Sequence, residues 1–135
     1  MSSTVQKLAM IFGVVFIIVG LLGFYYTGMN MQAEPDKSHY LLGMFPVNAL
    51  HNIVHVLFGV WGILAARSWN GAVTYAKTGG IIYILLAVLG FISPSAFGLI
   101  PIGGNDIWLH AVLGVVLAAV GFTARPEASS ATATA

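Results

Sequence analysis

Four long apolar stretches, separated by short polar ones, occupy almost the whole of this 135-residue chain. That pattern decides the solvent before it decides the fold. Leu8 to Tyr26 carries no charged residue and is long enough to cross a hydrocarbon core of about 30 Å. Within hydrocarbon a single segment must satisfy its own backbone amides, which favours helices. Charged residues make up 7% of the chain and mean hydropathy is +0.93, whereas soluble domains carry about 25% charged residues. The expectation is an all-α integral membrane bundle of four transmembrane helices at about 8–26, 47–66, 72–92 and 107–123, one domain over 1–125. Residues 126–135 are small and polar and read as a disordered tail. A signal peptide is the competing reading of the first stretch, since Lys7 precedes it. An h-region of about 7–15 residues would be shorter than what stands here.

Charge and cysteine usage narrow the function. The net charge is +1 without a basic cluster, which argues against nucleic acid as a partner. The chain has no cysteine, which excludes disulfides, thiolate catalysis, iron–sulfur clusters and Cys-type zinc sites. Lys7, Arg67, Lys77 and Arg125 fall at one end of the four stretches, and Lys37 stands beside Glu34 and Asp36 at the other. The positive-inside rule then puts both termini and the 67–71 turn in the cytoplasm, in an inner or internal cell membrane. The polar loops at 27–46 and 93–105 face outward. Asn48 is placed to cap the second helix and Asp106 the fourth.

Phe45 to Arg67 is the stretch that carries chemistry. On a helix, Asn48, His51, Asn52, His55, Gly59 and Gly62 fall within an arc of roughly 100°. Imidazoles and carboxamides on that arc cannot face lipid cheaply, so it should look into protein or a wet cavity. His110 follows Asp106 by one helical turn, where a carboxylate can orient a ligating imidazole. His51, His55 and His110 with Asp106 would suit a transition metal such as Zn, Cu, Fe or Ni. His55 and His110 on two facing helices could instead ligate haem, with Gly59 and Gly114 making room for the macrocycle, or chlorophyll magnesium. The same residues, with Asn48 and Asn52, could simply hydrogen-bond helices together. Proton or small-solute transport is a further alternative. An enzyme is not expected: there is no Ser-His-Asp order, phosphate loop or HExxH.

The halves echo each other. Gly20–Phe24, GLLGF, matches Ala87–Phe91, AVLGF. Gly43, Pro46 and Asn48 precede Leu50-His51 much as Gly98, Pro101 and Asn105 precede Leu109-His110. His55/Gly59 and His110/Gly114 share a spacing. Two similar hairpins related by a pseudo-two-fold axis along the membrane normal would follow.

The stretch GMFPVNALHNIVHVLFGVWGILAAR, and again NDIWLHAVLG, resembles a bacterial family of small four-helix membrane proteins with no assigned function. The matching positions are Asn48, His51, Asn52, His55, Gly59, Gly62, Asp106, Leu109 and His110, within a likeness over roughly residues 5–125. The resemblance implies the four-helix membrane fold and supplies no cofactor, substrate or activity. Together these features predict a non-enzymatic membrane protein, an accessory subunit of a larger membrane complex or a homo-oligomer, with a structural or ligand-binding His/Asn/Asp group near the outer surface.

Overall fold

The computed structural model describes residues 2–126, so the expected disordered tail lies, from Glu127 onward, outside the described residues. Four helices run through it: α1 (Thr4–Thr27), α2 (Ala49–Ala65), α3 (Trp69–Ile92) and α4 (Asn105–Thr123). α1, α3 and α4 have 24, 24 and 19 residues with mean hydropathy 2.6, 1.8 and 1.8, long and apolar enough to cross a membrane. α2 has 17 residues, about 26 Å of helix. It is shorter than expected because Phe45–Val47 pair as a strand instead of joining the helix.

Local chemistry sets the helix ends. Ser3 and Gln6 cap α1 reciprocally: the Gln6 amide donates to Ser3 Oγ at 3.4 Å and the Ser3 amide to Gln6 Oε1 at 3.0 Å. That capping box starts the helix at Thr4, ahead of its apolar stretch. Gln6 Nε2 also donates to the Ala66 carbonyl at 3.1 Å, tying the start of α1 to the end of α2. Ser68 caps α3 through the Gly71 amide at 3.0 Å, so this helix begins at Trp69. Asn48 caps α2, accepting from the His51 amide at 2.8 Å. Asp106 is not the cap of α4. Gly104, at φ +61°, stands there without a side-chain bond, and Asp106 lies buried in the first turn.

The 27–46 connection is not a plain loop. It holds a 3₁₀ turn at Pro35–Lys37 and an antiparallel ribbon, β1 (His39–Leu41) against β2 (Phe45–Val47), with Tyr40 opposite Pro46. His39 is exposed. Strands of three residues are too short to leave an alternation in sequence.

α1 packs on α2 and α3 on α4, and glycine makes both contacts close. A Cβ on Gly59 would lie 2.6 Å from the Gly13 carbonyl oxygen and 2.8 Å from the Ile17 nitrogen. A Cβ on Gly114 would lie 3.0 Å from the Gly80 carbonyl oxygen and 2.8 Å from the Ile84 nitrogen. Gly13 and Gly80, Ile17 and Ile84, and the sequence pair Gly20 and Ala87 stand at one constant separation, as Gly59 and Gly114 do with His55 and His110 at another. The turns agree as well. Leu42 and Gly43 have φ of 55° and 71°, and Phe97 and Gly98 have 59° and 87°. The Gly43 amide reaches the Tyr40 carbonyl and the Gly98 amide the Ser95 carbonyl. In this register His55 corresponds to His110 and His51 to Asp106. The Leu-His dipeptides at 50–51 and 109–110, matched by sequence alone, are out of step with the contacts.

An aromatic core joins the hairpins. Phe16 stacks on Tyr83 at 5.6 Å and meets Phe58 edge-on at 5.2 Å. Phe58 continues to Tyr75 at 4.9 Å, and Tyr75 to Trp61 at 4.8 Å. Ile18, Leu57, Leu85 and Val115 point outward and are exposed, as lipid-facing residues would be.

Two glycine substitutions separate sterics from backbone strain. Gly59→Ala should cost about 1–3 kcal/mol, since its methyl group meets backbone that cannot yield. Gly43→Ala has open space but a φ of 71°, so it should cost about 1–2 kcal/mol through the left-handed conformation alone. Unfolding in detergent checks both, and only Gly59→Ala should loosen the α1–α2 contact in cross-linking.

Candidate functional site

α2 and α4 belong to different hairpins, yet their N-terminal turns bring polar side chains together. α2 contributes His51 and His55 and α4 contributes Asp106 and His110, each pair one turn apart. His51 Nε2 and Asp106 Oδ2 are 3.9 Å apart, too long for a hydrogen bond. One ligand-capable atom from each of His51, Asp106 and His110 falls within 4.8 Å of the others, and all three residues are buried. His55, half-buried, stacks obliquely on His51 with ring centres 4.4 Å apart. The His51 and His110 rings are 6.3 Å apart. Nδ1 of His51, His55 and His110 and Oδ2 of Asp106 are buried without a hydrogen-bond partner among the described residues.

Two readings meet here, polar glue between helices and a ligand site. Polar glue would show these groups bonded to each other across the interface, because a buried unpaired polar atom costs about 1–3 kcal/mol. The convergence of His51, Asp106 and His110 suits a ligand that bridges them. Ligands on one tetrahedral ion at about 2.0–2.1 Å stand about 3.4 Å apart, so the three side chains need to close by an ångström or so around it. The backbone carbonyls of Pro46 and Pro101, equivalent residues in the repeat, lie beside the His51 imidazole.

The two asparagines do different work. Asn48 Nδ2 donates to the Leu99 carbonyl at 2.9 Å, joining the turns of the two halves. Asn52 points the other way and donates to Thr27 Oγ1 at 2.9 Å, against Gly23 of α1. The stripe read along α2 is therefore not one wet face. Its histidines turn toward α4, while Asn52 and Gly59 seat α2 on α1. Gly59 and Gly114 make no room for a macrocycle: each is closed by the backbone of its hairpin partner. The support they lent to haem is withdrawn.

Above the polar group lies a cavity of about 280 Å³, walled by Phe12, Val15 and Phe16 of α1, Leu109 and Leu113 of α4 and Tyr83 of α3. Leu41, Phe45 and Val47 of the ribbon line one end, and His51, His55, Asp106 and His110 also line it. Tyr83 sits 5.3 Å from the His110 ring. Its alignment with Phe16 in the repeat was the available signal, since both then face the centre of the bundle.

The profile of one protein family, the domain of unknown function DUF4383, matches residues 6–123. Neither a curated protein nor a solved structure matches.

Thr27→Val removes the partner of the fully buried Asn52 side chain. It should lower stability by about 1 kcal/mol, the usual scale for a hydrogen bond between membrane helices. A double-mutant cycle with Asn52→Leu, read by unfolding in detergent, should return that coupling and leave the His–Asp group unaffected.

Proposed function

Since the chain belongs to the DUF4383 family, whose function is not assigned, we propose from its site that it is a four-span, non-enzymatic membrane protein holding a divalent transition-metal ion between α2 and α4. His51, Asp106 and His110 are the ligands in this reading, and His55 is a fourth that a small ring rotation would supply. The observation that carries it is the convergence of one ligand-capable atom from each of His51, Asp106 and His110 within 4.8 Å, all three residues buried. Two imidazoles and a carboxylate, or three and a carboxylate, suit zinc or a neighbouring first-row ion. The ion would cross-link the corresponding turns of the two halves. This reading is one of binding, not of turnover.

α2 completes the fourth span in this reading. At about 26 Å it approaches the hydrocarbon thickness, and it packs along α1, whose mean hydropathy of 2.6 is the highest of the three long helices. With Lys7, Arg67, Lys77 and Arg125 at the opposite end from the ribbon, both termini belong in the cytoplasm and the metal site in the outer leaflet.

Metal analysis of the purified full-length chain should find about one transition-metal ion per molecule. His110→Ala and His51→Ala should each weaken zinc binding by about 100-fold, roughly 3 kcal/mol. A chain that takes up no ion when zinc is supplied, or variants that hold it equally well, refutes the site. For the topology, single cysteines at Ser2 and Ser38 should label from opposite sides of intact cells, Ser38 from outside.

A further inference from the structure

The repeat shows where the width of the cavity comes from. α2 and α3 pack together on one side of the bundle. There Phe58 lies over Gly79, its ring 2.8 Å from where a Cβ would stand. The equivalent positions in the other pair of helices hold Leu113 on α4 and Phe12 on α1, and both line the cavity. A ring over a glycine lets two helices close, whereas bulk against bulk holds them apart. Trp61, which meets Phe58 edge-on in the closed side, has Val116 as its counterpart, and Tyr75 has Leu8. The open side thus has fewer rings with which to fill a wider gap.

Exposure marks the mouth. Ile11 and Val15 on α1 and Leu42 on the ribbon line the cavity and are 58%, 49% and 66% exposed. Leu109 and Leu113 on α4 are half-buried. α1 and α4 are both long and apolar enough to cross a membrane, so a gap between them opens to hydrocarbon and not to water. The surface inside is apolar as well, because the unpaired atoms of the histidines and Asp106 are buried away from it. Water would need about two to four polar partners there. An empty hollow would forfeit the dispersion contacts of its walls. Hydrocarbon is the filling that meets both conditions. The walls also set its length. On α1 the cavity runs from Ile11 to Val19, about 12 Å of helix against the roughly 15 Å that one leaflet contributes to the hydrocarbon core. Phe16 and Tyr83, both buried, form the back wall, which a lipid lying against the outside of the bundle does not reach.

We propose that this cavity holds one acyl chain of a bilayer phospholipid, inserted between α1 and α4 with its headgroup left outside the bundle. The chain supplies the apolar matter that Phe58, Trp61 and Tyr75 supply on the closed side. The proposal rests on the membrane placement and not on the metal ion.

The test uses the full chain in nanodiscs of phosphatidylcholine, part of it carrying a photoreactive diazirine midway along one acyl chain. After illumination the labelled residues are mapped by peptide mass spectrometry. Label should appear on the inward residues Phe16, Tyr83 or Leu113 as well as on the outward Leu57 and Leu85. Leu113→Phe, which restores the aromatic of the closed side, and Val15→Trp at the mouth should each lower the inward labelling by about tenfold and leave the outward labelling unchanged. Leu113→Ala, which only widens the space, should keep it. Zinc should make no difference to either. Label confined to Leu57 and Leu85 overturns the proposal and leaves the membrane placement standing. A chain labelled nowhere loses the membrane placement, and the proposal with it. Inward labelling indifferent to both blocking substitutions overturns the site. An Ile11→Cys variant that forms disulfides between chains while the inward label is lost assigns the cavity to a second copy and overturns the acyl chain.

Discussion

Close backbone approach within each hairpin is the contact on which the rest of this molecule depends. In lipid, apolar side chains gain little by leaving one hydrocarbon for another, so helices associate through van der Waals contact and hydrogen bonds. Small residues are what allow such contact. Gly13 and Gly59 bring α1 onto α2, and Gly80 and Gly114 bring α3 onto α4. Each hairpin is then rigid enough to hold its polar side chains at a fixed height. The aromatic core of Phe16, Phe58, Tyr75 and Tyr83 joins the hairpins. It needs no close backbone contact and so tolerates different fillings on its two sides.

The polar group and the cavity both follow from that division. α2 and α4 are each held by their own hairpin partner, and the cavity lies among the four helices and the ribbon. His51 and His55 on one side and Asp106 and His110 on the other reach into it from equivalent turns. A site at the seam of a duplicated scaffold needs only one substitution per half to become chemically mixed, and here His51 faces the aspartate that takes its place in the second copy.

Much of this was readable from residues. Lysine and arginine at one end, and apolar runs of membrane length, made a helical membrane protein the expectation, and three of the helices meet the length and hydropathy for a crossing. The pairs His55/Gly59 and His110/Gly114 disclosed the repeat. Its register was blurred because Leu-His occurs twice in unrelated positions, and contacts alone could tell the true match from the chance one. The ribbon was too short for periodicity to reveal. Asp106 has the sequence signature of a cap, because its place before an apolar run looks the same whether the side chain turns back to the helix or inward.

The amino-acid sequence by itself determined the solvent, the helices and the residue types available for chemistry, since these depend on composition and spacing along one segment. Only the tertiary structure decided where each polar face is spent. Asn52 and Gly59 went to α1, the histidines to α4, and the glycines beside them to backbone contact and not to a cofactor. Such choices depend on the rotation of one helix against another, and that rotation is set by the fit of all four at once, which no single segment encodes.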